Sequence, residues 1–330
     1  MRSITIVDGR LEVADRPLPQ PAADGVVVRV HGAGLNRADL LQRAGRYPAP
    51  PGVPADIPGM EFAGIVAAVG NEVSSPVPGD HVCGITAGGA QAEYVAIPAV
   101  HCAPVPDNLG LVEMGGVPEV YITAHDALVT QAHLAPGEWT LVHAIGSGVG
   151  TAALQLARAA GARVIGTART ADKIARCRSL GLEAGIVPAR TADGALDADA
   201  LAWEIVETTG GGADVTLDTV GGDYITADVN AAAPKGRIVC IGTIAGGRVT
   251  LPVMAILGKR LTLIGTVLRG RDVAEKAAAT SAFVRDVIPL LADGRVVPVL
   301  EATFPLERAS EAYALLESDT TFGKVILDCT

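Results

Sequence analysis

The feature that most constrains this chain is an apolar strand that runs into a turn of small residues, which then opens a helix. Residues 140–143 predict the strand and residues 150–160 the helix. Small side chains let the backbone approach a diphosphate closely, and the free amides at the helix N-terminus attract its charge. The run therefore predicts a dinucleotide-binding turn. The residues expected to touch the coenzyme are Gly146, Ser147, Gly148, Val149 and Gly150.

The glycine spacing of this turn departs from the usual dinucleotide fingerprint. Gly148 and Gly150 are followed by Ala153 where a third glycine is expected. A tight turn that binds nothing is therefore the alternative. The strand before the turn, the helix after it and a second strand at 163–166 favour the dinucleotide interpretation.

The end of the second strand indicates which dinucleotide binds. Sites for NAD usually carry an acidic side chain here, which accepts a hydrogen bond from the ribose 2′-hydroxyl. This chain has Arg169 and Lys173, and its first acidic residue is Asp172. Cations suit a 2′-phosphate through charge-assisted hydrogen bonds. We expect NADPH, with two solvated surface cations as the alternative.

Strand-like and helical segments alternate through the middle of the chain from about residue 120. This alternation predicts an α/β fold in which crossover helices cover a doubly wound parallel sheet, as in Rossmann domains. The polar stretch 191–202 predicts a loop. The other predicted strands are 163–166, 214–217 and 237–241, and a further helix is expected near 172–180.

The two ends of the chain follow a different pattern. Short strands are predicted at 26–30 and 63–69, and the proline-rich stretch 47–54 must be a surface loop because prolines lack amide donors. After residue 265 the sequence predicts one helix over 274–291 and short closing strands.

Composition narrows the class of partner. The net charge is -10 and no Lys/Arg-rich block occurs, so neither nucleic acid nor an anionic membrane is an expected partner. No apolar run approaches the roughly 18 residues of a membrane helix. The 5 cysteines are scattered without a C-x-x-C pair, which is typical of reduced thiols in a cytoplasmic protein.

Motifs spread over the whole chain resemble those of one known family. The stretch 34–48 is similar to the N-terminal signature of zinc-independent quinone oxidoreductases. These form a group within the medium-chain dehydrogenase/reductase superfamily that includes zeta-crystallin. Further motifs fall in the same order and at similar spacing, at 59–64, 78–80, 144–150 and 322–325.

The resemblance implies a Rossmann domain over 121–266, inserted into a mainly β, GroES-like catalytic domain formed by 1–120 and 267–330. It also implies a homodimer, for which 260–264 is a candidate edge strand. Related zinc alcohol dehydrogenases carry Cys and His ligands where this chain has Asn36 and Met60. Neither is a usual zinc ligand, so no catalytic metal is expected.

The resemblance further places Asn36 and Tyr47 near the nicotinamide, where both can donate hydrogen bonds to a substrate oxygen that gains negative charge. A loop-packing role for Tyr47 and a turn role for Asn36 are the alternatives. Related sequences often have a tyrosine near the adenosine phosphate where this chain has Pro188, so Arg190 is the candidate replacement. Further coenzyme contacts are expected at Thr123, Val220, Ile241, Gly242, Thr243, Thr266, Leu268 and Arg269.

Together these features predict NADPH-dependent reduction of a quinone by hydride transfer without zinc, with Tyr47 and Asn36 stabilising the substrate oxygen. Reduction of the activated double bond of an enal or enone is the alternative within the enzyme class, because it uses the same hydride geometry. A non-catalytic NADPH-binding protein, comparable to a lens crystallin, is the alternative from another class.

Overall fold

The central part of the chain is inserted into a unit built from both chain ends. In the computed structural model, which describes residues 1–330, Met1–Ile122 and Leu268–Thr330 form the split unit. Residues Thr123–Val267 form the central unit. The boundaries between these units fall at 122/123 and 267/268, whereas the sequence predicts domain boundaries at 120/121 and 266/267.

Strands and helices alternate regularly only in the central unit, and no helix has both the length and the apolar composition that a membrane crossing requires. The strands are β1 (Arg2–Val7), β2 (Arg10–Asp15), β3 (Gly25–Gly34), β4 (Glu61–Val69), β5 (His81–Ile85), β6 (Tyr94–Pro98), β7 (Cys102–Pro104), β8 (Trp139–Val142), β9 (Arg163–Thr167), β10 (Ala184–Ile186), β11 (Ala213–Asp218), β12 (Ala232–Cys240), β13 (Thr262–Gly265), β14 (Leu300–Pro305) and β15 (Lys324–Asp328). The α-helices are α1 (Arg37–Arg43), α2 (Leu111–Met114), α3 (Pro118–His125), α4 (Gly148–Ala159), α5 (Ala171–Ser179), α6 (Ala198–Thr209), α7 (Asp223–Ala231), α8 (Val253–Lys259), α9 (Val273–Asp286), α10 (Ile288–Ala292) and α11 (Ala309–Glu317).

The sheet of the central unit has six parallel strands in the order β10-β9-β8-β11-β12-β13. The strand β8 is buried along its whole length, as expected for a parallel strand covered by helices on both faces. The order reverses between β8 and β11, and doubly wound sheets bind ligands at such a switch point, outside the carboxyl ends of the strands. The predicted doubly wound α/β fold is confirmed.

The split unit is mainly β, and strands from both chain ends share one sheet. Its strands follow the path β14-β15-β3-β4-β5-β7, with β6 also paired to β3. The C-terminal strand β15 runs antiparallel to β3, which ties the two ends together. Leu35, Phe62, Tyr313 and Val325, each at most 2% exposed, belong to the core beneath this sheet.

The predicted loop at 191–202 is wrong in its second half, because α6 begins at Ala198. The Asp197 carboxylate caps this helix by accepting the amide hydrogen of Ala200 at 3.0 Å. Leu201, 1% exposed, then packs into the core of the central unit. A capping aspartate followed by apolar residues at helical spacing is the sequence signal for this helix.

Two further element boundaries differ from the prediction. The single helix expected over 274–291 is two helices, since α9 ends at Asp286 and α10 carries Pro289 in its first turn. Proline cannot donate to the preceding turn, so it favours a new helix start. The strand expected over 260–264 begins at Thr262, because Arg260 takes a left-handed conformation at the end of α8.

Candidate functional site

The predicted dinucleotide turn lies between β8 and α4, at the switch point of the central sheet. Ser147 is the N-cap of α4, and its hydroxyl accepts the amide hydrogen of Gly150 at 3.0 Å. Amides in the first turn of a helix lack partners within the helix, and the helix dipole is positive at this end. The turn is therefore suited to bind a phosphate group.

Two glycines allow the turn to pack closely. A Cβ on Gly150 would lie 2.5 Å from the carbonyl oxygen of Ala144 and 2.6 Å from that of Ile145. A Cβ on Gly166 of β9 would lie 2.7 Å from Cγ1 of Ile145. Both positions therefore require glycine, since a larger residue would push the turn away from the sheet.

Positive charge collects near the ends of β9 and β10. Arg169 and Arg190 are exposed, and Lys173 is half-buried in α5. Burial raises the pKa of the Tyr224 phenol, and the charges of Arg190 and Arg169 oppose this rise. Arg169 follows β9 and Arg190 follows β10, which are neighbouring strands of the sheet, while the predicted cation Lys173 lies in the first turn of α5. Their contact with a 2′-phosphate stays a prediction.

The other predicted coenzyme contacts of the central unit follow adjacent strands. Val220 follows β11, residues 241–243 follow β12 and Thr266 follows β13, so they lie at the same sheet edge as the turn. The buried Asp218 carboxylate accepts the amide hydrogens of Val220 at 2.6 Å and Gly221 at 3.0 Å. The Val220 amide is therefore used within the protein. Of the remaining predicted contacts, Thr123 lies in α3, and Leu268 and Arg269 belong to the split unit.

Asn36, at the start of α1, is held on both sides of its amide group. Its Nδ2 donates to Oε1 of Glu61 at 2.9 Å, and its Oδ1 accepts from Nζ of Lys324 at 2.9 Å. Its backbone amide donates to Oδ2 of Asp39 at 2.8 Å. These bonds define which way the Asn36 side chain faces and leave its second Nδ2 hydrogen without a role in this network.

The partners of Asn36 form a buried ion pair. Nζ of Lys324 lies 2.5 Å from Oε1 of Glu61, and the two side chains are 5% and 0% exposed. Lys324 also donates to the carbonyl oxygen of Leu35 at 2.6 Å, while Oε2 of Glu61 accepts the backbone amide of Glu119 at 2.9 Å. Since an ammonium has three hydrogens, its bonds to Glu61, Leu35 and Asn36 use all of them.

Two further carboxyl groups near this pair hold their protons unusually tightly. Burial raises the pKa of Asp39 to about 6, although the backbone amides of Asn36 and Gly59 favour its charged form. Burial also raises the pKa of Glu119 to about 8, and the charge of Glu61 adds to the rise. Glu119 is therefore largely neutral at physiological pH.

Tyr47 follows α1 in the proline-rich loop and packs against Arg269. The guanidinium carbon of Arg269 lies 4.8 Å from the centre of the Tyr47 ring, and Nη1 donates to the Tyr47 carbonyl oxygen at 3.2 Å. Arg269 is 4% exposed and also donates to Gln42 at 2.5 Å and to Ala87 at 2.8 Å. Arg269 therefore anchors the loop of Tyr47, and its predicted contact with the coenzyme remains a prediction.

The sequence prediction does not include Glu61 and Lys324, although both lie in motifs that carry the family resemblance. Each is a charged residue in a strand whose other side chains are largely buried. A charge in such a position must be paired, so the strand pattern alone indicates that each needs a partner. The sequence contains no signal that pairs these two residues with each other.

Two family models match the chain. The description "Alcohol dehydrogenase GroES-like domain" covers residues 22–107, and "Zinc-binding dehydrogenase" covers residues 148–282. With the inserted Rossmann sheet, they define the medium-chain dehydrogenase/reductase superfamily of oxidoreductases. A probable quinone oxidoreductase of Schizosaccharomyces pombe is 30% identical over 321 residues, which cover 97% of this chain and 93% of the relative. The chain belongs to the quinone oxidoreductase-like family of this superfamily.

Three solved structures share the fold over 99% of this chain. The quinone oxidoreductase of Thermus thermophilus, also solved with NADPH, has a TM-score of 0.82 at 29% identity and is covered over 100% of its length. An NAD-dependent alcohol dehydrogenase has a TM-score of 0.84 at 32% identity, with 99% of its length covered. The enoyl reductase CurK has a TM-score of 0.82 at 26% identity, with 98% covered.

The residues of this chain do not fit the zinc ion that the second family description implies. No group of three or more His, Cys, Asp or Glu side chains is arranged to hold a metal ion. Beside Asn36, the ammonium of Lys324 already neutralises Glu61 and occupies the Asn36 amide oxygen. A divalent cation at this point would be repelled by that ammonium.

Replacing Gly150 by alanine is expected to weaken binding of a nicotinamide dinucleotide by at least about 10-fold, because the new Cβ would collide with two carbonyl oxygens of the turn. Fluorescence titration with NADPH measures the effect. Gly211→Ala is the matched control, since a Cβ there meets open space. Unchanged affinity in folded Gly150→Ala would show that the turn does not bind the diphosphate.

Glu119→Gln is expected to change how stability depends on pH. Because the folded protein raises this pKa from 4.5 to about 8, the free energy of unfolding falls as pH rises between these values. The glutamine variant lacks this fall, so its stability relative to the wild type should increase by a few kcal/mol from about pH 5 to about pH 8. Urea denaturation at both pH values measures it, with exposed Glu72→Gln as the control. Parallel pH profiles for the Glu119 variant and the wild type would contradict the expectation.

Proposed function

We propose that this protein is an NADPH:quinone oxidoreductase that transfers hydride without zinc. The observation that carries the proposal is the small-residue turn after β8, which opens α4 at the switch point of the sheet. Relatives named quinone oxidoreductase, one of them solved with NADPH, support it. The test follows NADPH consumption by the purified protein over a panel of quinones. Absence of turnover on every quinone would refute the assignment.

The proposed preference for NADPH over NADH rests on the positive charges that follow strands β9 and β10 of the central sheet. One similar structure is an NAD-dependent enzyme and another binds NADPH, so similarity alone favours neither coenzyme. Arg169 and Arg190 follow the neighbouring strands β9 and β10, and Lys173 lies in α5, the helix that follows Arg169. Guanidinium groups bind a 2′-phosphate through charge-assisted hydrogen bonds, which the 2′-hydroxyl of NADH cannot match.

Hydride transfer to a quinone leaves negative charge on a substrate oxygen. Without a Lewis acid, hydrogen-bond donors must stabilise that charge. Asn36 has one Nδ2 hydrogen engaged by Glu61 and a second available for the substrate. The phenol hydroxyl of Tyr47, in a loop anchored by Arg269, is the second proposed donor. A proton from water then completes the hydroquinone.

Reduction of an activated carbon–carbon double bond remains the second candidate reaction, because the enoyl reductase CurK shares the fold. Hydride addition to an enal or enone also places negative charge on oxygen, so the same two donors would serve. Faster NADPH consumption with alkenals than with quinones would favour this reaction. Tight NADPH binding without turnover on either class would instead indicate the non-catalytic binding protein.

A homodimer is also proposed, formed through the central unit. The strand β13 is an edge of its sheet, and the preceding helix α8 has no buried residue. Val253, Met254 and Leu257 on this helix are 59%, 79% and 64% exposed. An unpaired strand edge beside exposed apolar side chains is a surface that a second copy can cover.

Arg169→Ala and Arg190→Ala are each expected to raise KM for NADPH about 10-fold and to leave KM for NADH within about 2-fold, because each removes one charge-assisted bond to the 2′-phosphate. Steady-state kinetics with both coenzymes measure the ratio. Exposed Arg248→Ala is the control. Equal effects on both coenzymes would argue against a 2′-phosphate site.

Asn36→Ala and Tyr47→Phe are each expected to lower kcat/KM for a quinone about 10-fold at saturating NADPH, since each removes one donor to the developing oxyanion. Tyr94→Phe, which alters a half-buried tyrosine on β6, is the control for loss of a phenol hydroxyl. If both variants keep the wild-type value, these residues do not stabilise the substrate.

The double substitution Met254→Lys and Leu257→Lys is expected to convert the dimer to a monomer, because it places two charges in the proposed interface. Light scattering coupled to gel filtration measures the mass. Trp203→Lys is the control, since Trp203 is 67% exposed but lies on α6. A dimer that survives the double substitution would place the interface elsewhere.

A further inference from the structure

His143, between β8 and the dinucleotide turn, is a buried polar residue that the proposed reaction does not use. Its side chain and that of Asp228 on α7 are both 0% exposed. Nδ1 of His143 lies 2.9 Å from the hydroxyl oxygen of Thr167 on β9, and Nε2 lies 2.7 Å from Oδ1 of Asp228. The Tyr224 ring packs edge-on against the imidazole, with 4.8 Å between ring centres. One imidazole thus ties β8 to β9 and to α7.

The charges around His143 favour a ring that donates from both nitrogens. Burial lowers the pKa of His143, but the carboxylates of Asp228 and Asp218 outweigh this, so the pKa lies above its ordinary value. A protonated ring can donate to the hydroxyl of Thr167 and to Asp228 at the same time. Oδ2 of Asp228 is buried without a hydrogen-bond partner, so His143 is the group that compensates this carboxylate.

The next residue, Ala144, has a backbone conformation that its side chain disfavours. Its φ of 50° lies in the left-handed region, where the Cβ of an L-residue is crowded. Such strain persists only where the surroundings hold it in place. On one side of Ala144, the Thr167 hydroxyl holds the ring of His143; on the other, the Thr167 carbonyl oxygen accepts the amide hydrogen of Ile145 at 2.9 Å.

The strained residue also sets the geometry of the turn. The carbonyl oxygen of Ala144 accepts the amide hydrogen of Ser147, the N-cap of α4, at 2.8 Å. A change in φ at Ala144 would redirect this carbonyl and move Ser147 with it. The position of the first turn of α4 therefore depends on the conformation of Ala144.

We propose that His143 is a positioning residue for the coenzyme: by anchoring β8 to Thr167 and Asp228, it holds Ala144 in the left-handed conformation that aims the first turn of α4 at the diphosphate. This role rests on the proposed function, because it takes NADPH as the ligand. His143 acts through the backbone of Ala144 and Ser147 and touches no reacting atom.

A double-mutant cycle tests the proposal. The dissociation constant for NADPH is measured by fluorescence titration in the wild type, His143→Gln, Ala144→Gly and the double variant. Glycine adopts the left-handed conformation without crowding, so the anchor matters less once Ala144 is replaced. We expect His143→Gln to weaken NADPH binding about 10-fold with Ala144 present and less than about 3-fold with glycine at this position.

A second double-mutant cycle combines Thr167→Val with Ala144→Gly. Thr167→Val removes the hydroxyl that holds His143, but it preserves the shape of the side chain and the backbone carbonyl. We expect a loss of about 4-fold with Ala144 present and almost none with Ala144→Gly. If His143→Gln fails to fold because Asp228 is left unpaired, the cycle with Thr167→Val tests the positioning role of His143 in its place.

Two results would overturn the role of His143. One is unchanged NADPH affinity in the folded His143 and Thr167 variants; the other is an equal loss in both Ala144 backgrounds, which a general effect on stability would produce. Wild-type protein without affinity for NADPH would refute the proposed function itself, whereas tight wild-type binding with either of these results would refute only the positioning role.

Discussion

The candidate substrate site depends on one buried ion pair, between Glu61 and Lys324. Both side chains are almost completely excluded from solvent, so neither charge would be tolerated without the other. Glu61 begins β4 and Lys324 begins β15, so the pair also joins the N-terminal and C-terminal parts of the split unit. Asn36 is oriented as a result, because its amide oxygen faces the ammonium and its amide nitrogen faces the carboxylate.

This arrangement leaves the Asn36 amide as the donor of the network that is proposed to contact a substrate. The three hydrogens of the Lys324 ammonium are used within the protein, so the lysine supplies charge balance rather than a free donor. Asn36 retains one amide hydrogen, and its bonds to the ion pair prevent the side chain from turning. A fixed donor stabilises developing charge without reorganising during a reaction, which is the role proposed for Asn36.

The sequence predicts well those helices, strands and turns whose signals come from residues close together in the chain. The turn around Ser147 is recognisable because strand, small residues and helix follow one another directly. The helix that begins at Ala198 escapes prediction because the loop 191–197 and the first turn of the helix share alanine and aspartate residues, so composition does not mark the boundary. Pro289 marks a helix start inside a stretch that otherwise reads as one helix. The roles assigned to Asn36 and Tyr47 come from resemblance, since nothing in their neighbouring residues distinguishes a donor from a packing side chain.

The sequence by itself determined the doubly wound sheet, the small-residue turn and the cations that follow β9. Each of these follows from residues close together in the chain. Only the tertiary structure decided the partners of the buried charges. Lys324 reaches Asn36 across 288 residues, and His143 reaches Asp228 across 85. A strand pattern shows that a charged side chain is buried and must be compensated, but the choice of partner depends on which strands and helices the fold places side by side.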